Sequence, residues 1–321
     1  MQSLDLVIIT GPTGVGKTAV AVELAKRLDT EIVSADSMQV YKHLSIGTAK
    51  PTSSELQDVC YHLIDYVSPH QQYNLGWFLR DAEPLVADLR ARGKLPIVCG
   101  GTGLYLRGLL HGVFDGGERD EEIRADLEER AHREGLAPLY EELMRVDPAA
   151  THIKPNDRQR VLRALEVFYR TGNPITSLQT QSTDAPRYRA TTFILDRPRE
   201  ELYERINARV EAMVAQGLLN EVQQYLDAGY STDNPAIAAL GYAELIAHVR
   251  GELALTDALN AMRQKSRNYA KRQLTWFRAM KDSESIGVSG KTADEVADNM
   301  SQRSICTTSQ LSCKSKHDHI L

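Results

Sequence analysis

The chain has 321 residues with a formal net charge of −5, and 42% of them are hydrophobic and 25% charged, the fractions of an ordinary globular protein. Its four cysteines (Cys60, Cys99, Cys306, Cys313) are too few and too scattered for a disulfide framework, which fits a reducing compartment. The opening MQSLDLVIIT has no basic stretch, and its apolar run is too short for a signal peptide or membrane span. A cytoplasmic protein with no membrane partner is expected. The acidic balance argues mildly against a nucleic-acid partner, although phosphates respond to a local basic patch more than to net charge.

Leu4 to Thr10 is an apolar run that reads as a buried strand, and Lys17 to Leu28 reads as a helix with Val20, Leu24 and Leu28 recurring every four residues. Between them lies Gly11-Pro12-Thr13-Gly14-Val15-Gly16-Lys17-Thr18, which matches G-x-x-x-x-G-K-[ST] in its proper strand-to-helix context. Glycines there let successive backbone N–H groups converge on phosphate oxygens, and the helix N-terminus adds its dipole. Lys17 would neutralise the distal phosphate and the Thr18 hydroxyl would hold Mg²⁺. The motif specifies a phosphate chain. ATP binding is its reading by motif alone, but the residues do not say whether the phosphates belong to a nucleotide.

Ile32 to Ser34 is a second short run, followed by Ala35-Asp36-Ser37-Met38-Gln39. Strand C-termini in a parallel sheet face the ligand crevice, so Asp36 would point at whatever the cradle holds, as a base or a metal-shell carboxylate. A plain Asx turn is the competing reading. Leu95 to Cys99 is a third run and enters Gly100-Gly101-Thr102-Gly103, where Thr102 could offer a hydroxyl or the segment could be a simple hinge. No acid ends that strand, so by sequence logic Asp36 or Asp196 would stand where a hydrolytic P-loop enzyme keeps its metal-binding aspartate.

Residues 115–186 are polar, charged and helical in pattern, with no strand-like run. Thr191 to Leu195 is a fourth strand-like run, and the chain is then helical to about Met280. From Lys281 onward it is rich in Ser, Thr, Asp and Lys and loses apolar periodicity. The predicted organisation is an α/β fold: a P-loop-containing parallel sheet flanked by helices, with an all-helical insertion. Its parts are a first core segment (1–114), the insertion (115–186), the rest of the core (187–282) and a disordered tail (283–321).

Taken together, GPTGVGKT, SADSMQVY and GGTGLYLRGLL resemble the tRNA dimethylallyltransferase family in its bacterial form. The resemblance continues in order through DYVSP (65–69), PNDRQRVLRALEV (155–167), LYERINARVEAMVAQGLLNEV (202–222), ALGYAEL (239–245) and RNYAKRQLTWFR (267–278). It implies a monomeric enzyme that transfers a dimethylallyl group from its diphosphate to N6 of the tRNA adenosine just 3′ of the anticodon. Residues 11–18 and Arg209 would then bind the diphosphate with Mg²⁺ on Thr18, Asp36 would act as general base, and Thr102 would lie beside the reacting centre. Ser37, Met38 and Gln39, with Asp36 and Thr102, would meet the tRNA. So would Arg124 and the segment Gln159, Arg160, Val161, Leu162 and Arg163, which makes the insertion an anticodon-arm clamp.

Residues 263–281 carry seven basic side chains and no acid, interleaved with Tyr269, Trp276 and Phe277. RNA contact is expected for some of the basic residues, and core packing for Trp276 and Phe277. Asn156 to Arg170 reads as a capped helix with Gly172 past its end, and surface pairing of its arginines with Glu166 is the alternative to RNA contact. Cys306, Cys313, His317 and His319 crowd the tail, but C-x6-C-x3-H-x-H is not a common zinc spacing. A small-molecule or nucleoside kinase and a non-catalytic nucleotide-dependent RNA-binding protein are the competing functions.

Overall fold

The sheet is built on β1 (Leu6–Thr10), buried along its whole length because helices cover both faces of a parallel sheet. The computed structural model describes residues 4–57, 59–113, 120–181 and 186–314, without the side chains of 180–181 and 304–314. After β1 come α1 (Lys17–Leu28), β2 (Ile32–Ser34), α2 (Ser53–Gln57), β3 (Tyr61–His62), α3 (Leu75–Ala91), β4 (Ile97–Cys99) and α4 (Gly103–His111). The helices α5 (Glu121–Arg133), α6 (Leu136–Val146), α7 (Arg158–Thr171) and α8 (Ile175–Gln181) follow. The chain closes with β5 (Ala190–Asp196), α9 (Arg199–Ala215), α10 (Leu218–Asp227), a 3₁₀ turn (Pro235–Ala238), α11 (Tyr242–Val249), α12 (Leu255–Arg278), β6 (Ser283–Gly287) and α13 (Ala293–Lys314).

The six strands lie in the order β3-β2-β4-β1-β5-β6, every pair parallel, with Ile8 opposite both Val98 and Thr192. All four predicted strands are present. β3 has only two residues and β6 is polar, so neither showed as an apolar run.

The tail expectation (283–321) is corrected over residues 283–314, and 315–321 lie outside the described residues. Ser283 to Gly287 pair in register with Thr192 to Asp196, and α13 places Val296, Ala297 and Met300 in one core cluster with Val20, Ala21 and Leu24 of α1. A polar edge strand needs only one buried side chain, here Ile286, and a helix covered on one side needs only a narrow apolar stripe. Composition alone therefore misrepresents this segment. Cys306 and Cys313 fall on α13, but their side chains, like His317 and His319, lie outside what is described.

A second cluster lies under α9 to α12, joining Tyr41 and Leu44 to Val210, Met213, Leu218, Tyr225, Tyr242 and Met262. It supports the loop that follows β2. Among the described residues, no helix is long and apolar enough to cross a membrane.

The chain divides into two units, of which one runs from Leu110 to Arg187 and the other comprises the chain before and after it. The first has its own core of Leu127, Leu139, Leu143, Val161, Leu162 and Leu165. Its ends meet, since the Arg187 N–H donates to the Leu110 carbonyl at 2.6 Å. α7 is capped by Asp157, whose Oδ1 accepts from the Arg160 N–H (3.2 Å), and it ends at Gly172 in the left-handed region.

Candidate active site

The loops after β1, β2 and β4 all leave the C-terminal edge of the sheet, so they converge by topology. Gly11 ends β1 with φ +145, and a Cβ there would stand 2.5 Å from the Leu195 carbonyl oxygen, so only glycine lets the loop turn beside β5. Two arginines brace the outside of the loop: Arg205 Nε donates to Gly14 O (2.9 Å) and Arg197 Nε to Val15 O (3.0 Å). Lys17 Nζ donates to the carbonyls of Gly11 (2.9 Å) and Pro12 (3.0 Å).

Asp36 follows β2 in an Asx turn. Its Oδ1 accepts from the N–H groups of Met38 (2.9 Å) and Gln39 (3.3 Å), whereas Oδ2 has no hydrogen bond among the described residues. The bland reading of this residue thus holds for one oxygen and leaves the other free to accept a proton. Thr102 docks on the same loop. Its Oγ1 accepts from Ser37 N–H (3.1 Å), its hydroxyl donates to Ser37 Oγ (3.4 Å), and its own N–H donates to Ala35 O (3.2 Å).

Beside these loops is a cavity of about 220 Å³. Thr13, Asp36, Ser37, Thr48, Arg209 and Arg272 are among its polar lining, and Ile206, Val210, Met213 and Met262 form an apolar wall. Asp196, the other candidate acid, lies exposed at the end of β5 and does not line it.

Burial pushes the Lys17 ammonium down to about 8, an effect that Arg209 reinforces and the Asp36 carboxylate opposes. Burial likewise lowers Arg209, with Asp36 opposing. Desolvated cations held next to a phosphate cradle are preorganised for an anion. The sign for Lys17 is that of a charged form lost as pH rises through about 8. We therefore expect diphosphate affinity to fall about tenfold per pH unit above that point. The Lys17→Arg protein should show no such break, because a guanidinium keeps its proton. Calorimetric titration of both proteins with inorganic diphosphate from pH 6.5 to 9.5 checks this, and a wild-type profile parallel to that of Lys17→Arg would show that Lys17 keeps its proton across the range.

Gln273 leaves little trace in the sequence, whereas Tyr269 stands among the aromatics of the basic segment 263–281. Gln273 of α12 is buried and bridges the first and third loops: its Oε1 accepts from Thr13 N–H (2.8 Å) and its Nε2 donates to Gly101 O (2.8 Å). Tyr269, one turn earlier, places its hydroxyl 3.5 Å from the same carbonyl. The available clue was a polar residue at a core position, since Ala270, Gln273 and Phe277 are the buried stripe of α12. Phe277 packs inside as expected, but Trp276 is 38% exposed, which corrects its expected place in the core. Of the basic residues on α12, Arg272 lines the cavity and Lys265 pairs with Glu244.

In the helical unit, Val161 and Leu162 are fully buried, so their side chains are core rather than RNA contacts. A capped helix must turn one face inward, and these residues occupy it. Arg160 keeps a 64% exposed side chain. Arg163 and Arg124 pair with Glu166, a buried carboxylate that also accepts from Asp120 N–H (2.9 Å).

Glu31, Cys60 and His62 lie close enough to suggest a metal site, with His62 Nε2 at 2.7 Å from Glu31 and 3.4 Å from Cys60 Sγ. Arg92 already neutralises that carboxylate at 2.6 Å and holds Glu31 down at about 2, with His62 adding to the shift. The group reads as an ion-pair network on the β3 edge.

A family model described as IPP transferase matches residues 39–280, and one described as isopentenyl transferase matches 4–66. A tRNA dimethylallyltransferase of Syntrophobacter fumaroxidans is 52% identical over 279 residues, 86% of this chain and 81% of that one. One from Geobacter metallireducens is 46% identical over 290 residues, 89% and 93% of the two chains. Among solved structures, the full-length tRNA isopentenylpyrophosphate transferase of Bacillus halodurans aligns with a TM-score of 0.72 and 37% identity, covering 97% of this chain and 99% of that one. A eukaryotic dimethylallyltransferase acting on tRNA aligns with a TM-score of 0.82 and 28% identity, over 96% and 79%.

Proposed function

Since the chain belongs to the tRNA dimethylallyltransferase family, we propose that it moves a dimethylallyl group from dimethylallyl diphosphate to N6 of the adenosine 3′ of the anticodon in tRNA, releasing diphosphate. One observation carries this reading: Thr13 of the phosphate cradle, Arg209 and the Asp36 carboxylate, whose Oδ2 has no hydrogen bond among the described residues, line one cavity with an apolar wall. A five-carbon prenyl group on a diphosphate needs both halves. A kinase acting on a polar metabolite has no use for the wall of Ile206, Val210, Met213 and Met262, and membership of a transferase family counts against a non-catalytic nucleotide-dependent RNA-binding protein.

In the reaction the bond from N6 to the allylic C1 forms as the bond from C1 to the diphosphate oxygen breaks. The leaving diphosphate takes the electron pair, and Asp36 Oδ2 takes the amine proton. An exocyclic adenine amine is a weak nucleophile because its lone pair is delocalised, so a positioned base and exclusion of water both matter. Lys17, Arg209 and the N–H groups of residues 11–18 meet the charge that develops on the diphosphate. The Thr102 hydroxyl, held by Ser37, orients the acceptor side. The target base must leave its stack to enter such a cavity.

The Thr18 hydroxyl offers a hard oxygen donor suited to Mg²⁺, which binds through few protein oxygens and keeps waters. Mg²⁺ held on Thr18 would supply further neutralisation of the diphosphate.

The direct test incubates unmodified tRNA with the protein, Mg²⁺ and dimethylallyl diphosphate without ATP, followed by mass spectrometry. Gain of one isoprenyl unit on an anticodon-loop adenosine is the expected result. Unmodified tRNA together with ATP consumption on a small acceptor would return the kinase reading.

Surface arginines in the helical unit separate RNA contact from folding. Arg160→Ala should weaken tRNA binding and lower the salt-dependence slope by about one, while leaving the melting temperature unchanged. Arg163→Ala should instead lower the melting temperature, because it strips a partner from buried Glu166. Filter binding across a salt series, with thermal melts, distinguishes the two. An unchanged slope in the Arg160 variant would leave that residue as surface charge.

A further inference from the structure

α10 carries an acid at a core position. Leu218, Glu221, Val222 and Tyr225 form its buried stripe, and a lone carboxylate in such a stripe is costly unless fully hydrogen-bonded. Glu221 meets that condition with one short loop. Its Oε2 accepts from the N–H groups of Ser45 and Ile46, both at 2.7 Å, and its Oε1 accepts from Gly47 N–H at 3.1 Å. The Tyr242 hydroxyl donates to Oε1 at 2.5 Å. Three successive N–H groups turned onto one anion form a nest of the kind that binds phosphate, here filled by a side chain of the protein itself. Gly47 is part of the fit, since a Cβ there would stand 2.4 Å from the Tyr242 hydroxyl and 2.6 Å from its ring.

The anchored loop is not remote from the chemistry. Gly47 and Thr48 line the cavity together with Asp36 and Ser37, and the backbone oxygens of Thr48 and Ala49 accept from Gln39 Nε2 at 3.3 and 3.0 Å. Gln39 is the residue whose N–H holds Asp36 Oδ1. A continuous run of hydrogen bonds thus leads from Glu221 through the 45–49 loop to the proposed base.

We propose that Glu221, with Tyr242, is a positioning residue for the transfer reaction. It fixes the cavity wall at residues 45–48 and, through Gln39, the turn that aims Asp36. This rests on the transferase reading, but the geometry it describes does not. Glu221→Gln keeps the side chain's size but must turn an amide N–H₂ toward backbone donors, so at least one loop bond is lost. Glu221→Asp keeps the carboxylate on a shorter arm.

Two measurements on the full chain test the proposal. Hydrogen exchange, independent of any activity, should show faster exchange over 45–47 in Glu221→Gln, with the 11–18 loop unchanged. Steady-state kinetics with tRNA and dimethylallyl diphosphate should show KM raised about tenfold or more and kcat lowered less, with the pH profile unmoved and partial recovery in Glu221→Asp. If Glu221→Gln does not fold, Gly47→Ala carries the test. It pushes the loop off Tyr242 and Glu221 while leaving the carboxylate itself in place, and the same rise in KM is expected. Faster exchange with unchanged KM and kcat would make Glu221 a purely structural residue and overturn the proposal, as would unchanged exchange over 45–47. A wild-type protein that transfers nothing would sink the transferase reading, and with it the proposed role in transfer, while the exchange result still decides whether Glu221 holds the loop.

Discussion

Asp36→Asn should lose about 10² to 10⁴ of kcat while binding tRNA with near wild-type affinity, which is the range a positioned general base supplies. The choice of asparagine follows from the geometry. Oδ1 is committed to the N–H groups of Met38 and Gln39, and an amide oxygen can keep those two bonds. Only the free position changes, from an acceptor of protons to an N–H₂ group. Asp36→Ala would also abolish transfer, but it releases the turn and so mixes two effects. Single-turnover transfer of the prenyl group, with tRNA affinity measured in parallel, reads the result. An Asp36→Asn protein retaining more than about a tenth of wild-type kcat would show that the proton leaves by another route.

Truncation after Asp282 should cost most or all of the fold. The deletion removes β6 from its pairing with β5 and takes Ile286, Val288, Val296 and Met300 out of the central cluster. At about 1.5–3 kcal/mol for each large apolar side chain buried, the loss is roughly 6–12 kcal/mol, comparable with the whole stability of a typical domain. It also uncovers the length of β5 as an unpaired edge, which invites aggregation. Insoluble protein, or a melting temperature lower by more than about 15 °C, is the expected outcome of thermal melts on the two lengths. A truncated chain that melts with the wild type would show that α13 contributes nothing to the core.

That segment marks the limit of what was legible. β1, β2, β4 and β5 announced themselves because strands buried on both faces must be apolar throughout. The same burial requirement put Gly11 to Thr18, Asp36 and Thr102 at one edge of the sheet, and the structure brings them together there. The unread parts obey weaker rules. β6 is an edge strand with one buried side chain, and its polarity looks like a tail. Gln273 and Glu221 are polar groups at core positions, where apolar periodicity treats them as noise although Gln273 bridges two loops and Glu221 gathers three successive N–H groups of one loop. Val161 and Leu162 show the opposite error. A segment taken as a surface by resemblance still has to bury one face of its helix, and these two residues are that face.

The meeting of Leu110 and Arg187 bears on how such an enzyme can be altered. The entropy cost of an insertion depends on how far apart its ends are held and only weakly on its length. Here the two ends are brought within hydrogen-bond distance of each other, Arg187 N–H donating to the Leu110 carbonyl. The helical unit is in that sense an exchangeable part. An engineer can graft a relative's unit at the same two residues to ask which of the two units chooses the RNA.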